Sequence, residues 1–163
     1  MTVTIREATS DDIPALDTLY GQIERLHRAH EPDFFVAPTP DARLVLVRRW
    51  VRAHDRHVFV ADDDMAGLIG MLFCIVRRIG GVAVVRERDV VVIDTLVVDA
   101  HHGRKGIGTQ LMERVHRWGK AQGIREFQLG VWAFNTGAMA LYEGLGYRTY
   151  QQRMVLSADE DSH

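Results

Sequence analysis

The stretch "DVVVIDTLVVDAHHGRKGIGTQLMERV", which begins at Asp89, leaves few folds open to the chain that carries it. Its first part is an almost unbroken β-branched run, the pattern of a strand covered on both faces rather than of a strand with one wet side. The run passes through a glycine-rich turn directly into a helical face made by Leu111, Val115 and Trp118, and Gly123 supplies a stop for that helix. Strand, tight turn and helix in that order build an α/β fold, in which a sheet is sandwiched between layers of helices.

The rest of the chain supplies matching pieces. "VTIREAT" alternates as a half-buried strand, and "SDDIPALDTLYGQIERLHRAH" follows with Ser10 as N-cap and Ile13, Leu16, Leu19, Tyr20, Ile23 and Leu26 at helical spacing. "EPDFFVAPTPD" holds three of the four prolines and reads as a covering loop, so Glu31, Phe34 and Phe35 are candidates for contact with what it covers. "ARLVLVRRWVRAH" reads as a second helix. "HVFVADDDMAGLIGMLFCIV" reads as two strands joined by an acidic turn, with a break at Gly80-Gly81. Beyond the third helix, "REFQLGVWA" is the next strand, Asn135 caps a short helix "TGAMALYEGLG", and "YRTYQQRMVL" closes the sheet. The expectation is one α/β domain over residues 1–156, a mixed twisted sheet of about six to seven strands with helices on both faces. A polar tail occupies residues 157–163.

At 163 residues, one domain can bury roughly 70% of its unfolded surface and needs no covalent staples. A formal net charge of −2 gives no basic field for nucleic acid, and neither nucleic acid nor membrane is expected as a partner. The N-terminus is charged where a secretory leader is apolar, and "GLIGMLFCIV" is half a membrane span, so the expected location is cytoplasmic. The single Cys74 lies inside that apolar run and reads as a core residue. The eight histidines lack companions at ligand spacing, so no metal is expected.

A helix that opens on glycines leaves several main-chain N–H groups without internal partners, all aimed the same way. Gly103, Gly106 and Gly108 have no Cβ to keep an oxyanion away, and Arg104 and Lys105 add positive charge. An exposed helix terminus contributes only about 0.3–1 kcal/mol per charge, so a bound diphosphate needs charge-assisted contacts as well. An ordinary tight turn has the same composition, and the loop matches neither the Gly-Lys-Ser/Thr nor the six-residue dinucleotide fingerprint.

Together, "VIDTLVVDAHHGRKGIGTQLMERV" and "QLGVWAFNTGAMALYEGLGY" resemble the GNAT superfamily of acetyl-CoA-dependent N-acyltransferases. The specific part runs over residues 90–154. The superfamily's hallmark, Gln or Arg followed by two residues, Gly, one residue and Gly or Ala, falls on Gly103, Gly106 and Gly108, with Gly103 in place of the usual side chain and Arg104 one position later. The resemblance implies that Leu96, Val97 and Val98 pair with the pantetheine arm of acetyl-CoA. It implies that Gly103, Arg104, Lys105, Gly106, Ile107, Gly108 and Thr109 hold the pyrophosphate, that Asn135 and Tyr142 complete the site, and that the central strands splay to admit the arm. The chain has no large acidic or basic tract to grip a protein tail, so a small-molecule or metabolite amine is the expected acceptor. A protein N-terminal or lysine acetyltransferase is the alternative enzyme, a non-catalytic acyl-CoA sensor a second alternative, and a homodimer an expected assembly.

Acyl transfer to an amine needs a neutral nucleophile, and a lysine-like amine of pKa about 10.4 costs about 4.6 kcal/mol to deprotonate at pH 7. Asp94, a carboxylate inside "VVVIDTLVV", is the favoured base, and a surface charge or an arginine pair is the structural alternative. Glu24, Glu31, His27 and His30 remain further candidates. The departing thiolate needs a proton, and Tyr142 can donate one, although Ala138, Leu141, Tyr142 and Leu145 also form an amphipathic face on which a tyrosine packs. Trp50, Trp118 and Trp132 are expected to pack, with Trp132 just past the cofactor strand, while His101 and His102 line the solvent face of the loop.

Overall fold

The computed structural model describes residues 2–157. Strands β1 (Val3–Glu7), β2 (Arg56–Asp63), β3 (Gly67–Ile79), β4 (Arg88–Val98) and β5 (Phe127–Leu129) form one sheet in chain order. The first four are antiparallel to their neighbours, and β5 runs parallel to β4. A parallel neighbour requires a crossover, which α3 (Ile107–Ala121) provides. The remaining helices are α1 (Ile13–His30), α2 (Pro40–Arg52) and α4 (Thr136–Gly144).

The two helical layers are legible in two apolar clusters. On one face, Ile13, Leu16 and Leu19 of α1 with Val47 and Trp50 of α2 pack on Val58, Val60, Met71, Phe73 and Val97. On the other, Ile107, Leu111, Met112 and Val115 of α3 pack on Phe59, Ala61, Leu72, Cys74, Val91 and Ile93. Helices therefore cover both faces, which is why β4 can be apolar on both sides. The acidic turn between β2 and β3 is closed by Asp63, whose Oδ1 accepts the N–H groups of Met65 and Ala66 at 2.9 Å. Trp50 stacks on Phe73 at 4.3 Å between centroids, and Trp118 lies on His57 at 4.3 Å, so both pack as expected.

Two expectations are corrected. The sheet has five strands, because residues 147–156 form none among the described residues. A strand must pair its main-chain groups, and β5 offers only three residues before Gly130, so alternation in "YRTYQQRMVL" was not enough. Ser10 is not the cap of the first helix. Asp12 is drawn to Arg6 by bonds of 2.8 and 2.9 Å and forms a capping box with Thr9 over a 3-10 turn, Ser10–Asp12, so α1 starts at Ile13. Beyond Ser157 the polar tail lies outside the described residues. No helix among the described residues is long and apolar enough to cross a membrane.

One glycine of α3 sets how closely that helix lies on the sheet. A Cβ at Gly119 would lie 2.7 Å from Cε1 of Phe127 and 3.3 Å from Cγ2 of Val91. Gly119→Ala gains about 1 kcal/mol of helix propensity but forces β5 outward, an overpacking that costs about 1–3 kcal/mol. The expected net result is a lower Tm by circular dichroism, by a few degrees; an unchanged or raised Tm contradicts this packing.

Candidate active site

The site forms where β4 and β5 part. They pair only from Val91↔Phe127 to Ile93↔Leu129, after which β4 continues without a neighbour on that side. At the same point β4 carries an extra residue: Phe73 of β3 faces Thr95 while Cys74 faces Ile93, so Asp94 has no partner opposite. This bulge resets the alternation. Val91 and Ile93 point into the α3 layer, and so do Leu96 and Val98, while Val97 joins the α1 and α2 layer. Asp94 is exposed at the break, its Oδ2 accepting the hydroxyl of the buried Thr95 at 3.0 Å. A bulge at a divergence point aims a polar side chain out of an otherwise apolar strand.

From the end of β4 the chain makes a 3-10 turn, Ala100–His102, and enters the glycine loop. Asp99 holds the turn: its Oδ1 accepts the His101 N–H at 2.9 Å and contacts His102 Nδ1 at 3.0 Å, and its Oδ2 accepts Gln22 Nε2 of α1 at 2.7 Å. These donors, led by Gln22 and His102, lower the Asp99 carboxyl to about pH 2. His101 is exposed as expected, whereas His102 is half-buried against Asp99. In the loop, Arg104 (φ 61°) and Gly106 (φ 74°) are both left-handed, a conformation that costs a non-glycine residue about 1–3 kcal/mol. The main-chain N–H groups of Gly106, Ile107, Gly108 and Thr109 donate to no described residue, and the first closure of the helix is Gln110 N–H to the Gly106 carbonyl at 3.0 Å. Four free amides, two left-handed turns and adjacent cations make an anion nest at a helix start.

A Cβ on Gly106 would meet nothing within 4 Å, which is the open room an oxyanion needs. At Gly108 a Cβ would lie 3.2 Å from Leu141 and 3.9 Å from Leu96 and Val98, so β4, α3 and α4 converge there. Asn135 caps α4, its Oδ1 accepting the Ala138 N–H at 3.2 Å. Tyr142 is buried on the inner face of α4, its ring 5.9 Å from that of Tyr147. Burial pushes its phenol above the ordinary value, so it is protonated at neutral pH.

The other wall is α1. Its Tyr20 is raised in pKa by burial first and then by the charges of Asp94 and Glu24, so these three groups share one region. Glu24 is paired with Arg28 and Arg43. His27 is held neutral chiefly by burial, with His30 adding to the effect. Glu31 caps the helix end, and its carbonyl accepts the N–H groups of Phe34 and Phe35 at 3.1 and 3.0 Å.

A family model for the acetyltransferase (GNAT) family matches residues 23–147. The chain belongs to the GNAT family. It is 27% identical over 146 residues to an uncharacterized N-acetyltransferase of Methanocaldococcus jannaschii, covering 90% of this chain. The chain spans 61% of that relative's length. The crystal structure of a tetramutant of the BH1408 protein of Bacillus halodurans superposes with a TM-score of 0.89 at 26% identity, over 95% of this chain and 99% of that one. The aminoglycoside N-acetyltransferase AAC(6')-Iy, crystallised with CoA, gives 0.75 at 21% identity over 98% and 95%, a likeness of fold.

Within this GNAT fold, Leu96, Val98, Gly106, Gly108 and the α4 face come together at one mouth, and Val97 faces away into the other layer. Phe34 and Phe35 meet Trp132 rather than standing alone, at 5.2 Å each between centroids. Three features escaped the sequence: the bulge at Asp94, the Gln22 tie to Asp99, and Phe134 among the rings. Only "WAF" directly after a strand hinted at the last, since aromatic residues just past a splayed strand end have little core to enter.

Proposed function

We propose that this protein is an N-acetyltransferase that moves an acetyl group directly from acetyl-CoA to the primary amine of a small molecule. The observation that carries this reading is the set of four unpartnered amides, from Gly106 to Thr109, at the mouth where β4 leaves β5. These amides with Arg104 and Lys105 fit the diphosphate, and the free edge of β4 at Leu96 and Val98 fits the amide groups of the pantetheine arm. Acetyl-CoA supplies the activated thioester; the remaining work falls to side chains.

Asp94 takes a proton from the incoming ammonium and leaves a neutral amine at the splay. The new N–C bond forms as the C–S bond breaks, Tyr142 gives its proton to the departing sulfur, and the second amine proton returns to the phenolate through water. One proton is released in all. Cys74 is not suited to carry a covalent enzyme intermediate, because it is buried and its thiol is pushed up to about 12 by desolvation.

Thiol release in the presence of a panel of free amines and peptides tests the reading. Release with free amines supports it, and release with peptides alone assigns a protein acetyltransferase. Binding of CoA without release from any acceptor assigns a sensor. Asp94→Asn removes the base, so more of the amine must be neutral in bulk solution before attack; its kcat/KM profile is expected to move toward alkaline pH. A profile superimposable on the parent's assigns deprotonation to another group. The outer edge of β5, unpaired with any strand among the described residues, and the exposed Met154, Val155 and Leu156 support a homodimer as the working assembly, which sedimentation velocity reads directly.

A further inference from the structure

Six rings from three separate segments converge beside the splay. His27 and His30 come from the last turns of α1, Phe34 and Phe35 from the covering loop, and Trp132 and Phe134 from the connection between β5 and α4. His30 lies flat on Phe134 at 4.3 Å between centroids and 11° between planes, His27 stacks on Phe35 at 5.2 Å, and Phe34 meets both Phe35 and Trp132 edge-on at 4.9 and 5.2 Å. None of the six belongs to either apolar core. Phe34 remains 69% exposed, so the cluster keeps an open aromatic flank toward water. Rings that serve only packing are driven inward; a large aromatic held exposed by neighbouring rings on a polar loop is a surface that lacks its occupant.

The charges around these rings bear on the occupant. Asp17 is taken by Arg43 through bonds of 2.8 and 3.1 Å, and Glu24 is shared between Arg28 and Arg43. Burial, then the neighbouring His30, lowers the pKa of His27 and so favours its uncharged ring beside the cleft. Asp94, at the splay, has no cationic partner among the described residues, and the other nearby acids, Glu31 and Asp33, belong to the covering loop. Neither of these two has a cationic partner among the described residues, so a polyamine is the competing acceptor that the test includes, and the rings, not the charges, favour an aromatic amine.

Spacing completes the picture. Tyr20, Glu24 and His27 fall at i, i+4 and i+7, one stripe of α1, and on the other wall Leu129, which pairs with Ile93 beside Asp94, stands three residues before Trp132. Three residues of extended chain reach about 10 Å, so Trp132 begins the ring wall within that reach of the strand pair that carries Asp94. We propose that the ring cluster is the acceptor subsite, and that the acceptor is a single primary amine joined by a short chain to an aromatic ring. The ring lies against Phe34 and Trp132 while the amine reaches Asp94. This rests on the acetyltransferase reading above, and its test is chosen so that the two can fail separately.

Two measurements on the full chain decide it. In the first, kcat/KM is compared for 2-phenylethylamine, tryptamine, n-propylamine, spermidine and kanamycin, with thiol release as readout. The arylalkylamines are expected to exceed the others at least about tenfold, the scale of one buried aromatic contact. In Phe34→Ala and Phe34→Leu, the ratio of 2-phenylethylamine to n-propylamine is expected to fall, further for alanine. Preference for spermidine or kanamycin, or a ratio that Phe34→Ala leaves unmoved, overturns the subsite. In the second, quenching of tryptophan fluorescence by 2-phenylethylamine is followed without any CoA present, and Trp132→Phe should remove most of the signal. Saturable quenching that Trp132→Phe abolishes, without thiol release from any amine, supports the subsite and overturns the acetyltransferase reading. Thiol release with non-aromatic amines and no quenching does the reverse.

Discussion

Gly108→Val is expected to raise the Kd for CoA at least about a hundredfold, with the fold intact. The Cβ alone would stand 3.2 Å from Leu141, and the two γ carbons of valine must then turn into the loop or push α4 away. Either response spoils the approach of a phosphate to the amides at positions 106–109, and two lost charge-assisted hydrogen bonds at about 1.5–3 kcal/mol each correspond to that factor or more. Gly108→Ala, with no γ carbons, should fall between the parent and the valine variant. Isothermal titration with CoA checks the series; a valine variant that binds like the parent removes the loop from the cofactor site and, with it, the basis of the proposed activity.

Tyr142→Phe is expected to lower kcat at least about tenfold while the KM for acetyl-CoA stays within a factor of two or three, the signature of a group needed as the C–S bond breaks and not before. Phenylalanine keeps the ring inside the α3 and α4 core, so the comparison isolates the hydroxyl. Burial keeps that hydroxyl protonated through the neutral range, and no described residue accepts its hydrogen bond, which leaves it free for the sulfur. Steady-state kinetics at saturating acetyl-CoA reads the result. Unchanged turnover returns Tyr142 to the packing role that its place on an amphipathic helix also allows.

Taken together, the two variants separate cofactor binding from proton donation to the leaving group. The loop half was visible in the order of residues, because a strand that runs through glycines into a helix exposes amides however the rest of the chain is folded. The Asp94 half was visible only as an anomaly, a carboxylate within an apolar run. Its place depends on the bulge against β3, and a bulge is a property of two paired strands that neither strand announces alone. The same limit explains the closing strand that did not form. Alternation in residues 147–156 was real, but pairing is decided by the partner, and β5 ends after three residues.

The ring cluster shows the difference most plainly. Phe34 and Phe35 could be singled out as covering residues, but His27, Trp132 and Phe134 lie up to about a hundred positions away and meet them only when α1 and the β5–α4 connection are brought to the same end of the sheet. By itself, the sequence determined the layered α/β class, the order of most elements and the glycine turn that opens α3, since these follow from local periodicity and from the stereochemistry of glycine. Tertiary structure alone decided where the sheet opens, which way Asp94 points and which rings share a surface, because each is a contact between segments distant in the chain.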